Sequence, residues 1–213
     1  MKCTICERRP QKRFCPAKGE KICAPCCGTG REVSIDCTPD CSYLLAAHRY
    51  EAAHRQALSP DAFPYPDIDV PLEFMYEHWR VVAAIAGAVV SFQIQRKDLN
   101  DQAARLALEA LAETYRTLGT GIYYERPPDA PLARALYAHI AEFLEEFRKR
   151  EINQTGFTSL RDSDIFLVLV FLLRTHKRET SGRPLSRSFL AFLAAKSAGR
   201  SSPHEEESRI IVS

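Results

Sequence analysis

The pairs Cys3-Thr4-Ile5-Cys6 and Cys23-Ala24-Pro25-Cys26 form two Cys-x2-Cys knuckles near the start of this chain. All eight cysteines of the 213-residue sequence fall within the first 41 residues, at Cys3, Cys6, Cys15, Cys23, Cys26, Cys27, Cys37 and Cys41. This segment has few of the large apolar side chains that a core needs. It is close to the limit of about 40 residues below which a metal or disulfides usually replace the core. The cysteines are therefore expected to decide its fold.

A disulfide framework is the alternative to metal, and it is typical of secreted domains that follow a signal peptide. Residues 1–9 contain no apolar stretch of the kind a signal peptide has, and they enter the first knuckle at once. Metal is therefore favoured. Eight thiolates suit two tetrahedral sites of four cysteines each, so the sequence predicts two Zn²⁺ ions. A site closed by four cysteines has no open position for a substrate, which makes both ions structural.

The spacing of the cysteines resembles the cross-brace zinc fingers of the B-box and RING type. In those fingers, ligand pairs one and three hold one zinc, and pairs two and four hold the other. The B-box register places Lys18 at a ligand position that lysine cannot fill, so Cys27 is inferred to replace it. The resemblance then implies site one as Cys3, Cys6, Cys23 and Cys26, and site two as Cys15, Cys27, Cys37 and Cys41. Residues 31–44 also resemble part of bacterial proteins that join an N-terminal cysteine-rich finger to a helical remainder.

The rest of the chain divides by composition. Residues 1–58 are predicted to hold the double-zinc finger and a following helix, for which Asp40 is the expected N-cap. Residues 59–71 contain four prolines, which exclude a helix and favour an extended, semi-rigid linker. Residues 72–199 are predicted to form an all-α bundle of about five helices, and residues 200–213 a polar C-terminal tail. The predicted fold class is therefore mainly α.

Apolar periodicity and capping residues place the helices of the bundle. The expected helices cover residues 72–97, Asp101 to Leu118, a segment capped by Asp129, a segment around residues 165–173, and a last helix that ends at Gly199. The nine consecutive apolar residues 165–173 would also suit a buried strand. A helix is favoured because no partner strands are visible, and Ser159-x2-Asp162 before the run resembles a capping box. The apolar run at residues 81–92 is too short for a membrane span of about 20 residues.

Three polar residues recur on the helix that follows the last cysteine. His48, Glu51 and His54 are spaced at i, i+3 and i+6, and Glu51-x2-His54 is half of the Glu-x-x-His pattern used in di-iron bundles. A second half is not found in the sequence. The favoured interpretation is polar decoration of an exposed helix face, and the alternative is that His48 replaces a cysteine in site two.

Charge weakens a nucleic-acid interpretation. The formal net charge of +2 counts thiols as neutral. Eight thiolates and two zinc ions would contribute −8 and +4, which leaves the metallated chain near −2. A local basic knuckle remains at Arg8, Arg9, Lys12 and Arg13, where solvated charges beside the thiolates are favoured over phosphate contacts. Further cations are scattered over the bundle at Arg148, Lys149, Arg150, Arg174, Lys177 and Arg178.

Catalytic motifs are missing from the sequence, which has no Gly-rich phosphate loop, no Gly-x-Ser-x-Gly and no His-Glu-x-x-His. The polar cluster Tyr123 to Arg126 is equally well explained by a packed turn between helices. The sequence therefore predicts a non-catalytic, cytoplasmic zinc-finger adaptor, with no membrane segment and no small-molecule substrate. A protein partner is expected to bind the finger, the bundle or the tail, where Ile210-Ile211-Val212 suits strand addition. The alternative is a nucleic-acid-binding accessory protein that uses the basic knuckle.

Overall fold

The computed structural model describes residues 1–119, 121, 124–158 and 160–198. These residues form two short strands, β1 (Arg13–Cys15) and β2 (Glu20–Ile22), and eight α-helices. The helices are α1 (Ala24–Gly30), α2 (Ser42–Ala53), α3 (Leu72–Glu77), α4 (Trp79–Gln95), α5 (Asp101–Leu118), α6 (Pro131–Thr155), α7 (Asp162–Glu179) and α8 (Ser188–Ala198). The mainly helical fold class is confirmed. None of the helices in these residues is both long and apolar enough to cross a membrane.

The N-terminal finger is built around sulfur. Strands β1 and β2 form an antiparallel hairpin in which Phe14 pairs with Lys21, and the turn between them uses Gly19 at φ +67°. The buried centre of the finger consists of three cysteines and two aliphatic residues: Cys3, Cys15, Cys23, Ile22 and Ile35. Two aliphatic side chains are too few for an independent core, as the composition of the segment predicts.

The bundle has α7 near its centre. Helix α5 packs against α6 and α7, and α4 packs against α6 and α8. The apolar run 165–173 is helical, which confirms the preference for a helix over a strand. Ile165, Leu169 and Leu173 in this run are completely buried. The run shows little amphipathic pattern because α5 and α8 both cover it.

The predicted helix boundaries agree with the structure in the best-capped cases. Helix α5 has the predicted bounds, and the Asn100 side chain caps it by accepting a hydrogen bond of 2.9 Å from the backbone N–H of Ala103. The single helix predicted over 72–97 is divided at His78 into α3 and α4. Ser159, Gly199 and the tail lie outside the described residues.

Two predicted caps are wrong. The N-caps of α2 and α6 are Cys41 and Ala130, and neither forms a side-chain capping hydrogen bond. Each lies one residue after the expected aspartate, Asp40 or Asp129. A side-chain cap contributes only about 1 kcal/mol, so the packing of the helix readily outweighs it.

The proline-rich segment 59–71 is held against the bundle. The guanidinium of Arg174 on α7 donates to the carbonyl oxygens of Pro64, Tyr65 and Ile68, at 3.2, 2.6 and 2.6 Å. The Tyr65 ring meets Phe166 edge-on at a centroid distance of 5.5 Å. A short 3-10 turn at Pro60–Ala62 is the one helical feature that the structure assigns within this segment. The chain then bends and turns, with Tyr65 at φ +54° and the N–H of Ile68 donating to the carbonyl of Tyr65 at 3.1 Å, so the segment is not extended throughout.

Candidate metal centre

Four cysteines of the finger converge on one point. The sulfurs of Cys3, Cys6, Cys23 and Cys26 all lie within 4.8 Å of one another, so this group can hold a metal ion. It is the set that the cross-brace resemblance implies for site one. The Sγ atoms of Cys6 and Cys23 are 3.9 Å apart. Four sulfurs placed tetrahedrally at about 2.3 Å from a zinc ion would be about 3.8 Å apart, so the spacing fits a tetrahedral thiolate site.

Backbone N–H groups point at these sulfurs. Cys23 donates its N–H to Cys3 Sγ at 3.2 Å, and Cys26 donates its N–H to Cys23 Sγ at 3.4 Å. Burial raises the pKa of Cys3, but the N–H groups of Cys23, Cys6 and Ile5 outweigh burial and lower that pKa to about 6. The geometry thus favours thiolates, which are the form that binds a metal.

The pKa values of Cys6 and Cys26, in the same group, are shifted in opposite directions. The N–H groups of Arg8 and Arg9 lower the pKa of Cys6. The Cys23 sulfur and burial raise the pKa of Cys26 to about 12, because a further negative charge among these sulfurs is unfavourable without a cation. A metal ion at the centre of the group would supply that cation, so the donor set fits a metal chemically as well as geometrically.

The second predicted set is not assembled in the same way. Among the residues that the structure describes, Cys15, Cys27, Cys37 and Cys41 do not supply any three sulfurs within 4.8 Å of one another. Burial raises the pKa of Cys37, and the nearby Cys41 and Cys15 sulfurs raise it further. These three cysteines are therefore neighbours. Site two and its use of Cys27 stay predictions.

Comparison with protein-family models, with curated proteins and with solved structures finds no match to this chain. The likeness to cross-brace fingers therefore depends on the cysteine spacing and on the four-cysteine group itself.

Two of the three polar residues noted on α2 have partners in the finger or the bundle. His48 Nε2 lies 3.1 Å from a Glu32 carboxylate oxygen and 3.3 Å from Ser188 Oγ. Glu51 accepts a hydrogen bond of 2.8 Å from Arg183. The prediction that these residues lie on an exposed face of the helix is therefore wrong for His48 and Glu51, which face the bundle. It is right for His54, which is exposed and stacks on Tyr50 at 4.0 Å.

Glu32 is the centre of the junction between finger and bundle. Its side chain is 3% exposed, and Oε2 accepts hydrogen bonds from Ser181 at 3.1 Å and Arg183 at 3.4 Å in addition to His48. Its backbone carbonyl accepts the N–H of Leu185 at 2.8 Å. Burial raises the pKa of Glu32, but the hydrogen bond from His48 and the nearby charges outweigh burial and lower it. Glu32 therefore stays ionised inside the junction.

A second ion pair lies beside this one. Arg187 pairs with Asp36 of the finger and also donates to the carbonyl of Leu99 at 3.0 Å. The loop between α7 and α8 thus binds the finger through Arg183 and Arg187. Sequence reasoning missed this loop, because its partners lie about 150 residues away in the chain.

The predicted basic knuckle is divided by the fold. Arg8, Arg9 and Lys12 are exposed, whereas the Arg13 guanidinium lies 4.6 Å above the ring of Tyr43 on α2. Arg13 therefore helps to attach the hairpin to the helix.

Several cations of the bundle are also occupied within the fold. Arg148 pairs with Asp162 at 2.6 Å, and Arg178 pairs with Glu179 at 2.9 Å. Arg174 binds the linker carbonyls. These three arginines are therefore engaged by acidic or carbonyl oxygens of the bundle and the linker.

The polar cluster after α5 is partly visible. Tyr123 lies outside the described residues. Glu125 accepts a hydrogen bond of 2.7 Å from the Tyr137 hydroxyl, which lies 3.2 Å from Thr114 Oγ1. These contacts attach the turn to α5 and α6, as expected for a packed interhelical connection.

Proposed function

We propose that this protein is a non-catalytic zinc-finger interaction protein. The four-cysteine group carries the proposal, because four thiolates close the coordination shell of a metal and leave no position for a substrate. We assign Zn²⁺ to this group, and a second structural Zn²⁺ to Cys15, Cys27, Cys37 and Cys41. Tetrahedral sites of four sulfurs select zinc or iron, and zinc needs no redox partner. Eight free thiols suit a reducing compartment, which favours the cytoplasm.

The partner is proposed to be a protein. Leu72 and Tyr76 are four residues apart on α3, so they share one helical face, and they are 64% and 71% exposed. Trp79 follows three positions later at the start of α4 and is 48% exposed. Tyrosine and tryptophan are the side chains most enriched at the energetic centres of protein interfaces. The α3 surface, defined by Leu72, Tyr76 and Trp79, supports this proposal.

The experiment is affinity capture with the intact, zinc-loaded protein under physiological salt. A partner is expected to bind with submicromolar affinity, and the double substitution Leu72→Ser and Tyr76→Ser is expected to weaken the interaction at least tenfold. Ile94→Ser is the matched control, because Ile94 is 63% exposed but lies at the other end of α4. Equal binding by both variants would remove α3 from the interface. Failure to capture any protein under these conditions would count against the proposed function.

A further inference from the structure

The outward face of the hairpin combines an aromatic ring with cations. Phe14 lies in the middle of β1 and is 54% exposed, although the other apolar residue of the hairpin, Ile22, is completely buried. Lys21 is its direct cross-strand partner. Lys12 lies just before β1, and its N–H donates to the carbonyl of Ile22 at 3.0 Å, one residue out of register with the Arg13–Ile22 pair. As direct cross-strand partners, Phe14 and Lys21 share one face of the hairpin, and the exposed Lys12 lies at its edge.

The surroundings of this hairpin face are also basic. Residues 1–22 contain seven Lys or Arg and two Glu. Six of the seven cations have exposed side chains, and Arg13 is the exception because it packs on Tyr43. The six are Lys2, Arg8, Arg9, Lys12, Lys18 and Lys21. None of these six forms a salt bridge within the part of the chain that the structure describes.

Two acidic residues, Glu7 and Glu20, are exposed on the same lobe as these cations, and three others lie at the junction with the bundle. Glu32, Asp36 and Glu51 contact Arg183 or Arg187 of the bundle, so their charge is neutralised at the junction. The fold therefore places part of the finger's negative charge at the junction. Residues 1–22 keep a formal excess of five positive charges, which a filled four-cysteine site would reduce to about three. A calculation over the whole chain, which gives a metallated charge near −2, does not show this placement.

We propose that the hairpin face binds single-stranded nucleic acid, with one base stacked on Phe14 and the flanking phosphates held by Lys12 and Lys21. This activity goes beyond the proposed protein interaction and uses a different surface from α3. Stacking on an aromatic ring and contacts from flanking cations are the two components of sequence-tolerant single-strand binding. Arg8 and Arg9 extend the positive lobe beyond the hairpin and would contact further phosphates.

A single strand fits better than the other polyanions that would be attracted to this face. In a duplex, the bases are stacked on one another and do not offer a face to Phe14. An acidic peptide would satisfy the lysines, but it would not require a planar ring exposed between them. The small number of cations predicts modest affinity, in the micromolar range near 50 mM salt, with a steep loss toward 200 mM.

The test is fluorescence anisotropy with a labelled twelve-residue oligothymidylate and the full, zinc-loaded chain. Phe14→Ala is expected to weaken binding about tenfold, the loss expected when one stacked base loses its platform. Phe157→Ala is the matched control, since Phe157 is 65% exposed on the bundle, and it should not change binding. The double substitution Lys12→Gln and Lys21→Gln should weaken binding and reduce the slope of log K against log salt by about 1.4. The double substitution Lys149→Gln and Lys177→Gln removes the same two charges from exposed positions of the bundle and controls for net charge.

Three results would overturn the proposal. Phe14→Ala could bind like the wild type, a duplex of the same length could bind as tightly as the single strand, or polyglutamate could compete as well as unlabelled oligothymidylate. The last result would assign the face to an acidic protein segment. Zinc content and circular dichroism of each variant show whether it is folded. The α3 substitutions leave this assay unchanged, so failure here and failure of the proposed protein interaction are distinguishable.

Discussion

The junction between finger and bundle yields a quantitative prediction from the substitution Glu32→Gln. Glutamine keeps the length of the side chain and removes its charge. The Glu32 carboxylate accepts from three side chains at 3.1 to 3.4 Å and is nearly inaccessible to solvent. A hydrogen bond to a charged group contributes about 1.5–3 kcal/mol, and a neutral one about 0.5–1.5 kcal/mol. Because glutamine still accepts from one or two donors, the junction should lose about 2 kcal/mol.

Hydrogen exchange at the Leu185 amide measures this loss directly, because that N–H donates to the Glu32 carbonyl across the junction. A loss of about 2 kcal/mol corresponds to about 30-fold faster opening. Amides in the middle of α7 should exchange as in the wild type, since the core of the bundle is not changed. Asp40→Asn is the control, because Asp40 is an exposed acid of the same finger. Exchange at Leu185 within threefold of the wild type would refute the claim that Glu32 holds the two parts together.

Three further predictions follow from the finger, the linker and the core. Native mass spectrometry should find two zinc ions; Cys23→Ser should remove one and Cys37→Ser the other, whereas a metal-free chain with four disulfides would exclude zinc. A fragment of residues 59–213 should fold without zinc. A fragment of residues 72–213 lacks the carbonyl acceptors of Arg174, so in urea it should be about 2–4 kcal/mol less stable than the longer fragment. Equal stability of the two fragments would show that the linker only covers the surface. Burial lowers the pKa of His176 below 6.5 in the folded protein. The unfolded chain therefore binds a proton more readily, and the unfolding free energy should fall as pH drops below about 6.5. His176→Gln should be less sensitive to pH in that range, and parallel pH profiles of variant and wild type would contradict this.

The sequence predicts a structural feature correctly where the interacting groups lie close together in the chain. The bounds of α5 are predicted from its apolar spacing and from Gly119, which follows the last helical residue; the structure adds Asn100 as the N-cap. The helical state of residues 165–173 is predicted from the lack of partner strands. The four-cysteine group is the set that the resemblance to cross-brace fingers implies, and its sulfurs do converge. In each case, the interacting groups are close in sequence or strongly restricted by chemistry.

Contacts between residues that are far apart in the chain could not be predicted from the sequence. Arg174 binds carbonyl oxygens of residues about 110 positions earlier, and backbone carbonyls carry no sequence signal. Glu32 has φ +53°, a conformation that is uncommon for residues other than glycine, and nothing in the local sequence requires it. Its conformation is set by the Ile35 and Leu185 backbone groups that it contacts. These tertiary contacts decide how the linker and the finger are placed.

For the electrostatics of this protein, the location of the charged residues matters more than how many there are. Summed over the chain, zinc binding makes the protein slightly acidic, which by itself argues against a polyanionic partner. The structure places Glu32 and Asp36 against Arg183 and Arg187, so these charges largely cancel at the junction and contribute little to the outer surface. Within a Debye length of about 8–10 Å, an approaching partner responds to nearby exposed charges and not to the total. The lobe around Phe14, where seven Lys or Arg outnumber Glu7 and Glu20, is therefore net positive in a chain whose overall metallated charge is near −2.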